Sequence, residues 1–238
     1  MNLPEIFFPR FSLSPPFIYW QTICINRFVS ENFYHKGTVM GLYSIKPAFQ
    51  KLIGPVASTC INHKISPDSL NLAAVAVSVV ITGIFCVSLQ IRSAFICIPV
   101  LVFFRLLFNA LDGMVVRQTG CTSRIGEVHN ELTDRISDTL TIFAVGLSGN
   151  GNGTLSGITC SVMLLASYVG ILCKSAGGSR IYIGIMCKPD RLVLMGTAAI
   201  AALWLPQYLV WNIYLITVLI GVLITGIQRY AFIRREFA

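Results

Sequence analysis

Apolar residues in this chain gather in long runs rather than alternating with polar ones. The runs lie near Leu70–Ile91, Ala94–Phe108, Thr139–Leu147, Ile158–Cys173, Leu192–Leu205 and Leu209–Ile227. Continuous runs of this kind predict helices buried in a core or facing lipid. A helix that crosses a bilayer needs about 20 mostly apolar residues. Several runs reach that length only if their polar ends lie at the interface or inside a bundle. The pattern predicts an all-α integral membrane protein, a six-transmembrane-helix bundle in which Thr139–Leu147 is the shortest apolar run.

The polar stretches between the runs punctuate the helices. In "ISPDSLNL", Pro67, Asp68 and Ser69 supply the turn and N-cap signals that open the first span. "LSGNGNGTLSG" (147–157) is a short uncharged turn, and Pro206 separates the fifth span from the sixth. "NGT" at 152–154 matches a glycosylation sequon, but its closeness to two spans favours a flexible turn. Ile45–Ile61, mixed apolar and basic, predicts an N-terminal interfacial helix. Residues 1–39 have no helical periodicity and no signal-peptide pattern. They read as a poorly ordered extension, or as sequence ahead of a start at Met40, with the membrane domain spanning 40–238.

Composition agrees. The chain of 238 residues is 55% hydrophobic and 12% charged, roughly half the charged fraction of a soluble domain. Sixteen of its 18 basic residues fall on one set of connections; Arg92 alone lies on the other, and Arg105 lies inside a span. This asymmetry places both termini in the cytoplasm. The net charge of +8 then describes a cytoplasmic rim suited to membrane lipids and phosphate, and the absence of a long basic run argues against nucleic acid. The eight cysteines include no C-x-x-C pair and read as small buried hydrophobes.

Against this background the acidic residues are informative. Five of only ten lie within "NALDGMVVRQTGCTSRIGEVHNELTDRISD", residues 109–138. Asn109 and Asp112 share a helix face, and so do Asn130, Asp134 and Asp138, with Glu131 one turn before Asp134. Two such faces meeting form a pocket of oxygen ligands suited to a hard divalent cation and a substrate phosphate. Gly113 and Gly126 allow close approach of a ligand to backbone, and Arg117 is near enough to meet a phosphate. Arg105, seven residues before Asp112, costs on the order of 3 kcal/mol at membrane depth. It is expected as a counter-ion for Asp112 or Asp134.

At these residues the chain resembles the CDP-alcohol phosphotransferase family, whose signature is D-x-x-D-G-x-x-A-R, eight residues, then G-x-x-x-D-x-x-x-D. Here the positions are Asn109, Asp112, Gly113, Val116, Arg117, Gly126, Asn130 and Asp134, with every spacing kept. Asn109 and Asn130 replace aspartates and Val116 an alanine. A divergent bacterial branch of the family is similar in carrying N-x-x-D-G and N-E-x-x-D-x-x-x-D, which points to a bacterial inner membrane. The resemblance extends over roughly Met40 to Ala238.

The resemblance implies Mg2+ or Mn2+ held at Asn109, Asp112, Asn130 and Asp134, with Glu131, Asp138 and Arg105 in support. It implies that Gly113, Arg117, Ser123 and Gly126 bind a CDP-linked lipid donor, and that Asp134 acts as general base on a small alcohol acceptor, releasing CMP. CDP-diacylglycerol is the favoured donor, since the pocket should open toward lipid, and a homodimer is implied as well. Lys188 and Arg191, before the fifth span, are candidates for an anionic acceptor; ordinary positive-inside charge is the alternative. The asparagines remove two negative charges, which leaves a degenerate, inactive member as one rival. "NELTDRISD" also resembles the N-D-x-x-D-x-x-x-D of UbiA-type prenyltransferases, but the second aspartate motif and extra spans are missing. A transporter would leave the glycine spacing unexplained.

Overall fold

The computed structural model describes residues 46–120, 123–178 and 181–237; the expected extension 1–39 lies outside them. Among the described residues there are eight α-helices and one 3-10 turn. Two short helices come first, α1 (Lys46–Leu52) and α2 (Gly54–Asn62). Six longer ones follow: α3 (Pro67–Val87), α4 (Cys97–Thr119) after the 3-10 turn Arg92–Ile96, α5 (Arg124–Leu147), α6 (Gly153–Ser175), α7 (Lys188–Ala201) and α8 (Gln207–Glu236). All six predicted apolar runs fall within or against these.

Local chemistry sets the ends. Ser66 caps α3 by accepting a hydrogen bond from the Ser69 amide, and Pro67 follows in the first turn. Asn152 caps α6 in the same way through the Leu155 amide at 2.9 Å, and its own amide donates to Asn212 at 2.7 Å. The "NGT" segment is therefore a fixed helix start rather than a flexible turn. Gly120 ends α4 in the left-handed region, φ 69°. Arg92 donates to the carbonyls of Ala202 and Leu205 and so closes the C-terminal end of α7.

The six long helices form a closed circle: α3 packs between α4 and α5, α6 between α5 and α8, and α7 between α4 and α8. α4 and α5 barely touch each other directly. At the α5–α6 contact a Cβ on Gly146 would sit 2.5 Å from that of Ser156, whose hydroxyl donates to the Ile142 carbonyl. Such close crossings of small residues are how helices associate without a hydrophobic drive in lipid. One end of the circle is filled by Trp211, fully buried, with Phe85 at 4.6 Å and Phe95 at 5.3 Å between ring centroids. α2 leans on α4, with Ala57 and Cys60 against Leu111 and Met114.

Among the described residues, four helices are long and apolar enough to cross a membrane: Pro67–Val87, Arg92–Thr119, Gly153–Ser175 and Gln207–Glu236. The other two fall short for different reasons. The first half of α5 is charged, and α7, with 14 residues, is about 21 Å long against a hydrocarbon core of about 30 Å. Of the cysteines, Cys60, Cys160, Cys173 and Cys187 are buried as expected; Cys86 and Cys97 are exposed.

Candidate functional site

The middle of α4 brings Arg105, Asn109 and Asp112 onto one face. Asp112 is 6% exposed. The Arg117 guanidinium lies along the helix beside Gly113, 3.4 Å from where a Cβ there would sit. Beyond Gly120, Ser123 caps α5 by accepting from the Gly126 amide at 2.9 Å. A side chain on Gly126 would press on that hydroxyl, at 2.9 Å. Ser123 and Gly126 thus set where α5 starts, and with it the register of every acid on it.

On α5, Asn130, Asp134 and Asp138 rise one turn at a time toward the middle of the circle. The Lys188 ammonium, from the first turn of α7, donates to Oδ1 of Asp134. One turn deeper, Asp138 is 3% exposed and each of its oxygens is taken by a different arginine. Arg105 of α4, fully buried, reaches Oδ1 at 2.5 Å, and Arg191 of α7 reaches Oδ2 at 2.6 Å. Arg135 runs alongside, 3.8 Å from Asp134 and 4.0 Å from both Glu131 and Asp138. A small cavity beneath is lined by Arg105, Asp138, Arg191, Thr141 and Tyr214, with Met163 and Met195.

This placement changes one expectation and separates two other candidates. Arg105 pairs with Asp138, not with Asp112 or Asp134, because the rotation of α4 that turns Asp112 to the site carries Arg105 two turns deeper, level with Asp138. Lys188 and Arg191, the candidates for an anionic acceptor, have different partners. Arg191 is held by Asp138 and by the Met186 carbonyl at 3.1 Å, which leaves Lys188 as the one of the two beside Asp134.

Some contributors escaped the sequence reading. Asp190 accepts from the Cys187 amide at 2.9 Å and so fixes the start of α7, where Lys188 and Arg191 sit; aspartate three residues after the cap was the available signal. Arg229 donates to the carbonyls of Ile183 and Ala166, at 3.0 and 2.8 Å. It ties the segment before α7 to α6 and α8, although in sequence it looks like one more basic residue of the tail. Gly184, φ 140°, lies so close to Thr225 that a Cβ would come within 2.2 Å.

Among the described residues no three His, Cys, Asp or Glu side chains gather as a metal cluster. The expected donors are instead two carboxylates, Asp112 and Asp134, with two carboxamides, Asn109 and Asn130. The Asn109 amide nitrogen is buried without a hydrogen-bond partner, and since amide oxygen and nitrogen exchange by a flip, the side chain has an oxygen to offer. An all-oxygen set of this kind fits a hard dication such as magnesium or manganese, with two fewer protein charges than four aspartates would bring.

Comparison with known proteins adds to this geometry. No family model matches the chain. It is 32% identical over 173 residues to the inner membrane protein YnbA of Escherichia coli (strain K12), covering 73% of this chain and 86% of that one. It is 30% identical over 203 residues to the phosphatidylinositol phosphate synthase of Streptomyces avermitilis, covering 80% and 81%. Among solved structures it is similar to the phosphatidylinositol phosphate synthase of Mycobacterium tuberculosis. The complex with manganese and citrate gives a TM-score of 0.60 at 20% identity, over 75% of this chain and 87% of that one. The form with CDP-DAG bound gives 0.59 at 21%, over 75% and 92%. At these identities the structural likeness is one of fold.

Proposed function

The chain belongs to the CDP-alcohol phosphotransferase family, enzymes of phospholipid biosynthesis, and on that premise we propose that it transfers the phosphatidyl group of CDP-diacylglycerol to a phosphate-bearing alcohol. The observation that carries this reading is the arrangement around Asp134. Its carboxylate stands on α5, with the Lys188 ammonium of α7 against it and the Arg135 guanidinium 3.8 Å away. A base and a cation side by side suit an acceptor with a hydroxyl to deprotonate and an anionic group to hold.

Asn109, Asp112, Asn130 and Asp134 would hold the divalent cation, which when bound supplies positive charge against the donor pyrophosphate. Gly113 leaves the backbone of α4 open to the CDP moiety, and Arg117 offers a guanidinium to its phosphates. Asp134 takes the proton of the acceptor hydroxyl. The oxygen attacks the β-phosphorus, a new P–O bond forms, the bond to the bridging oxygen breaks, and CMP leaves with that electron pair. Lys188 holds the acceptor anion beside the base. The phosphatidylinositol phosphate synthase among the relatives favours an inositol phosphate as that acceptor.

The reading includes a catalytic membrane domain over 40–238, six membrane helices, both termini cytoplasmic, and α1 with α2 along the cytoplasmic interface, in a bacterial inner membrane. The similarity to an inner membrane protein supports the location. In this picture α7 spans as a short helix because its ends are covered, by Arg92 at one and by the Asp190 cap at the other. A homodimer is the assembly the family suggests. The test is direct: the purified full chain, CDP-diacylglycerol and magnesium or manganese are incubated with inositol phosphate, glycerol phosphate, inositol or serine, and CMP is measured. Release with the phosphate-bearing acceptors alone is expected. No release with any acceptor would overturn the reading.

A further inference from the structure

The six helices form a circle in which the two halves of the motif are not neighbours. α4 carries Asn109 and Asp112, α5 carries Asn130 and Asp134, and α3 packs between them while α4 and α5 barely touch. α7, which brings Lys188, packs on α4 and α8 rather than on α5. Apolar packing links the two motif helices only indirectly, through α3, and links Lys188 to Asp134 only through α4 and α8 and their neighbours. Side chains also cross the interior directly.

The residues that do so are charged. Asp138 extends from α5 and is gripped by Arg105 from α4 at 2.5 Å and Arg191 from α7 at 2.6 Å. All three side chains are buried. Each lies a fixed step from the site on its own helix. Arg105 is four residues before Asn109, Asp138 four after Asp134, and Arg191 three after Lys188. Those steps are single helical turns, so a contact made at the deeper level sets the spacing one turn above. Arg191 also donates to the Met186 carbonyl, and Arg105 reaches Thr141 at 3.4 Å, which orients both guanidiniums. A buried ion network is a poor source of net stability, because desolvation offsets its Coulomb gain, but it can specify one geometry among several.

We propose that Asp138, Arg105 and Arg191 form a positioning centre that fixes the separation of the two motif helices and seats Lys188 at Asp134. It deepens the transferase reading and rests on that reading for its catalytic consequence. None of the three touches the reacting atoms. They act through the residues one turn above, and the centre keeps α7 docked when the Asp134–Lys188 pair opens to admit the acceptor.

The experiment replaces the whole network by apolar residues of similar size, Arg105→Met, Asp138→Leu and Arg191→Met together, so that no unpaired charge remains. Spin labels are placed at Gln118→Cys on α4 and Val128→Cys on α5, in the full chain with its other cysteines replaced. The distance between them is then measured by electron–electron resonance. A folded triple variant with a broadened distance distribution is expected. In the transferase assay it should show at least a tenfold rise in acceptor KM and in the magnesium needed for half activity. An unchanged distance distribution would overturn the proposal, whether or not the chain proves to be a transferase. Unaltered KM and magnesium dependence in an active protein would overturn it as well. Should the triple variant not fold, Arg105→Lys keeps the charge but offers a single arm in place of the two that reach Asp138 and Thr141. It should broaden the distribution in the same direction, and an unchanged distribution would again count against the centre.

Discussion

The ammonium of Lys188 rests on the carboxylate of Asp134, joining the first turn of α7 to the middle of α5 across the circle of helices. The two residues are 54 positions apart. Their pairing puts a cation beside the candidate base in the surroundings where an acceptor would dock.

Lys188→Met should therefore weaken the acceptor far more than the donor. A charge-assisted hydrogen bond contributes about 1.5–3 kcal/mol, so acceptor KM should rise about tenfold to a hundredfold, with the KM for CDP-diacylglycerol little changed. Initial rates of CMP release at varied acceptor and donor separate the two. Equal rises in both KM values would remove Lys188 from the acceptor site.

Asp134→Asn keeps an oxygen ligand but removes the base. Turnover should fall by about 10² to 10⁴, while binding of the CDP-lipid, followed by its protection against thermal unfolding, largely persists. Near-normal turnover in this variant, with Asp138→Asn inactive, would mean that the register assigned to α5 is wrong by one turn.

Chelation should stop CMP release, and magnesium or manganese should restore it, because two carboxylates and two carboxamides can hold an anionic pyrophosphate only with a cation between them. Asn130→Asp adds a charge to that set and should lower the metal concentration for half activity or leave it unchanged. A shift to much higher metal would show that Asn130 serves another purpose.

Gly146→Val tests the packing that carries the site. Even a Cβ at this position meets Ser156 at 2.5 Å, so valine must push α5 away from α6. Overpacking of this kind costs about 1–3 kcal/mol, and a lower melting temperature in detergent is the expected result. Gly83→Val, at a position with nothing within 4 Å of a Cβ, serves as the control and should melt near the parent.

The orientation is open to labelling. Thr154→Cys, exposed at the start of α6, should react with an impermeant thiol reagent only from the non-cytoplasmic side, and Val128→Cys only from the cytoplasm. Reaction of position 154 from the cytoplasm would invert the topology.

What the sequence determined by itself is what depends on near neighbours along the chain. Apolar runs forced helices, because a backbone in lipid must satisfy its own hydrogen bonds. Pro67 and Pro206 marked helix starts, and the three- and four-residue steps from Asn109 to Asp138 put the site residues on two faces, because a helix turns every 3.6 residues. The extent of α5 was only half legible. Its apolar run begins at Thr139, yet the helix begins at Arg124, since its polar half turns inward to other polar groups instead of to lipid. The tertiary structure alone decided who pairs with whom. That Arg105 meets Asp138, that Arg191 is taken by the same carboxylate, and that Lys188 is left at Asp134 all depend on which helices are neighbours in the circle and how each is rotated. Those choices are set by side-chain packing between segments far apart in the chain, such as Gly184 on Thr225 and Gly221 on Met186, and no local periodicity encodes them.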